Sequence, residues 1–112
     1  MDLLTDELRQ SIPPLGYQRE SNDPTVYARL FIPGSSRVWY VIEGQQERDE
    51  YIFFVFENSP HFADQGRRQG EELSLSFLRR AGEIVGSCLE RDSSFTPKRL
   101  SETLLQDETT LV

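Results

Sequence analysis

Glu90 and Asp92 have the residue type and spacing that general acid–base catalysis uses, since such catalysis needs two carboxyl groups in different surroundings. In an extended segment, residues two apart point to the same face, so these two carboxylates would lie side by side. In the alternative interpretation they are solvated or paired with Arg91, Lys98 or Arg99. This alternative is favoured, because perturbed carboxylates also occur in purely structural ion pairs.

His61 is a second candidate for acid–base chemistry, because imidazole titrates near neutral pH and Asp64 follows three residues later. No nucleophile motif of the G-x-S-x-G type accompanies it. Residues 58–70 are rich in turn formers and lack apolar periodicity, which predicts a long surface loop. We therefore interpret His61 as an exposed loop histidine in the first instance.

Cys88 is the only cysteine, and together with one histidine it cannot supply the ligands of the common zinc sites. No phosphate-binding or dinucleotide-binding glycine motif is present either. We therefore expect no metal and no cofactor. Because Cys88 precedes the apolar Leu89, we expect it to be a small buried residue and not a reactive thiol.

Trp39 and Tyr40 begin an aromatic group on neighbouring predicted strands, an arrangement that some proteins use to stack nucleic-acid bases. Such platforms are framed by basic residues, whereas the neighbours here are acidic, so packing in the core is favoured. The acidic group itself is interpreted as a solvated hairpin end and comprises Glu43, Glu47, Asp49 and Glu50. If this region does bind a partner, the candidate binding residues are Trp39, Tyr40, Glu43 and Arg91.

The elements that must position these residues start with a short helix from about residue 5, which Thr5 caps and Pro13 ends. Three β-branched and aromatic runs then predict strands at Val26–Ile32, Val38–Ile42 and Tyr51–Phe56. We expect them to form an antiparallel meander with the third strand central and covered on both faces.

The second half begins with a predicted short strand at Glu71–Leu73, followed by a helix that Ser74 or Ser76 caps and that ends near Gly82. We expect helices, including the segment around Phe77 and Leu78, to cover one face of the sheet. Residues 88–91 should be extended, with Leu89 and Arg91 facing the core. A last helical turn should start at Ser101, and residues 106–112 should fray.

The chain has 112 residues, which suits a single domain with one core. The pattern of elements predicts an α+β fold: a small antiparallel sheet, made of a three-stranded meander plus a short fourth strand, with short helices packed on it. The N-terminus lacks the basic and apolar segments of a signal peptide, and no apolar run is long enough to span a membrane, so we expect a cytoplasmic protein.

Residues spread over most of the chain also resemble a known family. The most specific stretch is Glu90-Arg91-Asp92 followed at fixed offsets by Phe95, Pro97 and Leu100-Ser101-Glu102. Further matching residues are Trp39-Tyr40, Glu43, Phe53-Phe54, Gly70-Glu71-Glu72-Leu73-Ser74-Leu75 and Leu78. In these residues the chain is similar to domain-of-unknown-function family 2958, whose members are small bacterial and plasmid-borne proteins. The resemblance implies a compact bacterial domain associated with mobile elements and implies no activity.

The expected function is therefore a noncatalytic module that binds another protein, as an accessory factor of a mobile element. A net charge of −7 opposes binding to duplex DNA or to a membrane surface. The same charge leaves open an acidic inhibitor or nucleic-acid mimic that blocks a basic protein. A small enzyme that uses Glu90, Asp92 or His61 is the third hypothesis. The sequence does not indicate an oligomeric state.

Overall fold

The computed structural model describes residues 3–58 and 70–110, with the side chains described as far as residue 107. The fold is α+β, as predicted. In these ranges the helices are α1 (Asp6–Ser11), α2 (Leu75–Ile84) and α3 (Leu100–Thr110). The strands are β1 (Thr25–Val26), β2 (Ala28–Phe31), β3 (Val38–Glu47), β4 (Glu50–Asn58), β5 (Glu71–Ser74), β6 (Glu90–Arg91) and β7 (Lys98–Arg99).

The main sheet is antiparallel, has five strands and runs in the order β5-β4-β3-β2-β6, while β1 pairs with β7 in a separate two-stranded sheet. The predicted meander is confirmed, since β2, β3 and β4 are consecutive neighbours in this order. The first predicted strand is divided at Tyr27, whose backbone N–H donates to the Val41 carbonyl at 2.8 Å. This division lets the chain leave the main sheet and pair β1 with the tail of the chain.

The expectation that the third strand of the meander would be the central, doubly covered strand is wrong. In β4, buried residues alternate with half-buried ones. The central strand is β3, where the run 39–44 is buried without interruption. A strand covered on both faces has no polar alternation, and β3 lacks it because helices pack on both sides of the sheet.

A β-bulge interrupts β3 at Ile42. Val41 pairs with Val55, and Glu43, instead of Ile42, pairs with Phe54. Side chains alternate along a strand, so one inserted residue reverses the faces of all the residues that follow. Glu43 therefore lies on the same face of the sheet as Phe54.

The sheet separates two hydrophobic cores, and helices cover both of its faces instead of the single face that was expected. On one face α1 and α2 cover the first core. Its buried residues include Leu30, Trp39, Val41, Phe53, Val55 and Leu78. On the other face Leu100 and Leu104 of α3 cover the second core, which consists of Val26, Tyr40 and Ile42. The long central strand makes this possible, because it offers apolar side chains to both sides.

The helix starts follow the predicted capping residues. The Thr5 hydroxyl accepts from the Leu8 N–H at 3.2 Å, and the Ser74 hydroxyl accepts from the Phe77 N–H at 3.1 Å. Helix α2 ends two residues later than predicted, and α3 begins one residue earlier and continues through residues expected to fray. No helix in the described ranges is long and apolar enough to cross a membrane.

Candidate functional site

The structure does not gather the predicted acid–base pair into one site. Glu90 is half-buried on β6, opposite Phe31. Asp92 follows the strand and accepts hydrogen bonds from the backbone N–H and the hydroxyl of Ser94, at 3.0 and 2.6 Å. It also lies 3.9 Å from the Arg29 guanidinium. Asp92 therefore caps a turn and pairs with Arg29 instead of with Arg91, Lys98 or Arg99, and Glu90 does not line the cleft that Asp92 lines.

His61 lies outside the described residues. Cys88 is exposed, so the expectation that it would be buried is wrong. The reason is the alternation along residues 88–91, in which Leu89 packs against the first core and Cys88 points away from it. Among the residues that the structure describes, no three His, Cys, Asp or Glu side chains come together as a metal-binding group.

Trp39 and Tyr40 are both 0 % exposed and face opposite cores, so neither offers a contact surface, and the preferred interpretation of core packing is confirmed. The Tyr40 hydroxyl donates to Asp107 of α3 and accepts from the Asn58 amide at 2.8 Å. Burial raises the pKa of Tyr40 far above its usual value, and the hydrogen bond to Asp107 raises it further. Tyr40 thus ties α3 to the sheet.

Glu43 is also 0 % exposed, so its interpretation as part of a solvated hairpin end is wrong. Its carboxylate accepts from the backbone N–H groups of Gly16 and Gln18 at 2.7 and 2.6 Å. The Arg19 guanidinium completes the shell at 3.1 Å. The bulge before Glu43 turns it towards the loop of residues 13–24, so the carboxylate organises that loop and does not face a partner.

Arg19 continues this buried network to the surface. Its guanidinium lies 3.9 Å from the ring centre of Phe54 and 3.1 Å from the Glu72 carboxylate. Burial disfavours its charge, but the hydrogen bonds to Glu72 and Glu43 outweigh burial and raise the pKa of Arg19. The network is electrically compensated within the chain, which is typical of a structural role.

Arg91 lines a cleft of about 190 Å³ between α1 and the region around β6. Its Nε atom is buried and has no hydrogen-bond partner among the described residues. Glu7 and Asp92 line the same cleft, so the positive charge of Arg91 is offset nearby. Of the four predicted binding residues, Arg91 is the one that reaches a cleft.

The largest exposed apolar side chains that share one surface lie on and just after α2. Phe77, Ile84 and Val85 are 52 %, 76 % and 59 % exposed. They line a cleft of about 280 Å³ between the helix and the β2–β3 turn. We name it the α2 cleft, and its lining includes Ile32, Arg37, Phe77, Arg80, Ile84 and Val85. Of the segment expected to cover the sheet, Leu78 does so, whereas the expectation for Phe77 is wrong.

The α2 cleft differs from its surroundings in charge, because the charged residues that line it are the two arginines Arg37 and Arg80. Arg37 is bound by both oxygens of Glu57, at 2.8 and 3.1 Å, and this pairing raises its pKa. Arg80 is exposed and makes no ion pair or hydrogen bond through its side chain within the described part of the chain. Within the described part of the chain, the cleft therefore combines apolar surface with a guanidinium that has no ion-pair partner, and Glu83 lines an adjoining cleft that Phe77 and Arg80 also line.

Sequence reasoning missed the α2 cleft, although a signal for it was present. Phe77, Arg80 and Ile84 recur at intervals of three and four residues and so share one side of a helix. An apolar stripe of this kind is typical of a core-facing side, but in α2 that side carries Leu78 and Gly82. This second side of α2 faces the β2–β3 turn across the cleft, and its apolar side chains stay largely exposed.

Comparison with known proteins gives no relative from which a function can be carried over. No family model, no curated protein and no solved structure matches the chain.

Proposed function

We propose that this protein is a noncatalytic protein-interaction module that docks its partner in the α2 cleft. The observation that carries the proposal is the cluster of exposed Phe77, Ile84 and Val85 around one cleft. Single exposed apolar side chains are normal on protein surfaces, whereas contiguous ones mark interaction sites. A cleft is also the shape in which an apolar anchor of a partner loses most of its contact with water.

Two further features support a noncatalytic role. Asp92 lines a cleft that Glu90 does not line, and the Asp92 carboxylate caps a turn by accepting from Ser94. The buried Glu43 carboxylate is compensated by Arg19 and by backbone N–H groups. The narrower role as an accessory factor of a mobile element is supported by the family resemblance of the sequence.

The test compares a cleft variant with a matched surface variant. The cleft variant carries Phe77→Ser and Ile84→Ser. The control carries Tyr17→Ser and Leu105→Ser, which replace two large apolar residues that are 75 % and 66 % exposed elsewhere. All four positions are exposed, so each double variant should unfold within about 1 kcal/mol of the wild type, which chemical denaturation checks.

A photo-crosslinking amino acid at position 77 in the source cell identifies the partner, and titration calorimetry with the purified partner measures affinity. We expect the cleft variant to bind at least about tenfold more weakly than the wild type, and the control to bind within about twofold. Equal binding by the two double variants contradicts the proposal. Failure to recover any specific crosslinked protein also contradicts it.

A further inference from the structure

We infer that the α2 cleft accepts a peptide segment of the partner in which a large apolar side chain stands next to Asp or Glu residues. This inference rests on the proposed function and adds the chemistry of the partner. It is based on a difference in charge: the chain as a whole is acidic, with 19 acidic and 12 basic residues, whereas the charged residues that line the cleft are basic. Among the residues that the structure describes, no carboxylate lines the cleft, although two arginines do.

Arg80 has the position that such recognition requires. It lies three residues after Phe77 and four before Ile84, so the guanidinium stands between the two apolar side chains along one side of α2. An apolar group that enters the cleft would therefore place neighbouring groups of the peptide beside this charge. A guanidinium presents a planar fork of donors that matches a carboxylate, and the resulting hydrogen bonds are charge-assisted.

The size of the cleft favours one side chain over a whole small molecule. Its volume of about 280 Å³ lies at the lower limit of ligand pockets, which span roughly 300–1,000 Å³. Arg37 does not supply a second free charge, because Glu57 holds it at 2.8 and 3.1 Å. The occupant is therefore an apolar anchor with a carboxylate on its Arg80 side.

Other occupants fit the charges less well. A second copy of the chain, docked through the same cleft by a two-fold axis, would bring the two copies of Arg80 close together. A polyanion such as duplex DNA would meet one free arginine at the cleft and the net charge of −7 over the molecule. Self-association is an outcome that the experiment below detects.

The experiment selects binders from a displayed library of random 12-residue peptides on the wild-type protein, with counter-selection on the Phe77→Ser, Ile84→Ser variant. We expect the enriched peptides to share an apolar residue flanked by Asp or Glu. The best peptide is then synthesised in two forms, one acidic and one with each acidic residue replaced by its amide, and both are titrated by fluorescence anisotropy.

Arg79 supplies the matched control for Arg80, because it is the adjacent exposed arginine and lines the neighbouring cleft on the other side of Phe77 instead of the α2 cleft. Arg80→Gln should weaken binding of the acidic peptide about tenfold, with Arg79→Gln within about twofold of the wild type. The amide form should bind weakly and be insensitive to Arg80→Gln. Raising the salt from about 0.05 to about 0.5 M should weaken the acidic form selectively.

The outcomes separate the inference from the proposed function. Enriched peptides that are neutral or basic, yet lose binding in the cleft variant, overturn the inference and leave the docking function in place. No enrichment over the cleft variant argues against both. Concentration-dependent dimerisation that the cleft variant abolishes overturns the inference in favour of self-association, which sedimentation velocity detects.

Discussion

Glu43 and Arg91 represent opposite ways of placing a charge near the core. The Glu43 carboxylate is fully buried, and two backbone N–H groups and a guanidinium satisfy its oxygens. Arg91 is half-buried, and its buried Nε has no partner among the described residues. A satisfied buried charge is costly to disturb, whereas an unsatisfied donor costs stability as it stands.

Glu43→Gln should destabilise the protein by about 3 kcal/mol, because one carboxylate oxygen becomes an NH₂ group that faces N–H donors and Arg19 loses its buried counter-charge. Urea unfolding measures the change. The matched control is Glu47→Gln, at the exposed end of the same strand, which should stay within about 0.5 kcal/mol of the wild type. Equal midpoints for the two variants would show that the loop of residues 13–24 does not depend on this carboxylate.

Arg91→Met should be at least as stable as the wild type, because methionine keeps the apolar stem and removes the unpartnered donor. Arg91→Ala should lose about 1–2 kcal/mol through lost packing, and Asp92→Asn should change little, because the amide oxygen can still accept from Ser94. Thermal melts at neutral pH measure all three. A clear loss in Arg91→Met would mean that the guanidinium has a bound partner in solution.

The sequence predicted some of these residue roles and missed others for physical reasons. The register with Leu89 inward is confirmed, because the cost of burying two adjacent carboxylates decides it. That same alternation places Cys88 outward, contrary to its apolar character. Glu43 was missed because a bulge changes its face, and the bulge residue Ile42 is not distinguishable by type from its neighbours.

At the level of elements, α3 packs Leu100 and Leu104 on the second core and also makes polar contacts with distant parts of the chain. Asp107 accepts from the Tyr40 hydroxyl and from Arg29 Nε, the latter at 3.1 Å. At the other end of the helix, the Asp23 carboxylate accepts from the backbone N–H and the hydroxyl of Ser101, at 2.9 and 2.7 Å. These hydrogen bonds lower the pKa of Asp23, so its contribution to stability is lost as acid protonates it.

Tyr40 should make the fold sensitive to alkali. The folded state raises the pKa of this tyrosine through burial and through Asp107, so it holds the proton more tightly than the unfolded chain does. The resulting stability is fully present below the unfolded pKa of about 10 and falls as the pH rises above it. Urea midpoints of the wild type should therefore fall between about pH 9 and about pH 11.

Tyr40→Phe should show a shallower fall over this range, and at neutral pH it should be less stable by about 1–3 kcal/mol, because it loses the hydrogen bonds to Asp107 and Asn58. Tyr51→Phe is the comparison, since burial also raises the pKa of Tyr51 but no acidic side chain contributes. A wild type and a Tyr40→Phe variant with parallel pH profiles would contradict this account of α3.

The order of elements along the chain was largely predictable, because strands and helices differ in apolar period and in capping residues. The meander and the Ser74 cap follow from these local signals. The placement of helices on both faces was not predictable. It depends on which strand is central, and that is decided by the pairing of β6 and β7 with β2 and β1 from the far end of the chain.

At the scale of the whole molecule, a net charge of −7 repels polyanions such as DNA. We expect no binding to duplex DNA or to anionic vesicles tighter than about 10 μM at physiological salt. Filter binding and vesicle sedimentation measure the two affinities. A tighter, salt-sensitive complex that Arg80→Gln abolishes would show that the local charge of the α2 cleft overrides the net charge.

The polar contacts of α3 also affect when this helix can pack on the sheet during folding. The Asp107 contacts close intervals of 67 and 78 residues, so nearly the whole described chain must be present before they form. Until then the second core lacks its cover, while the meander and the first core can already assemble. Closing intervals of this length is entropically costly, so we expect the Asp107 contacts to form late in folding. Weakening them should then speed unfolding while leaving the folding rate nearly unchanged, which stopped-flow kinetics measures.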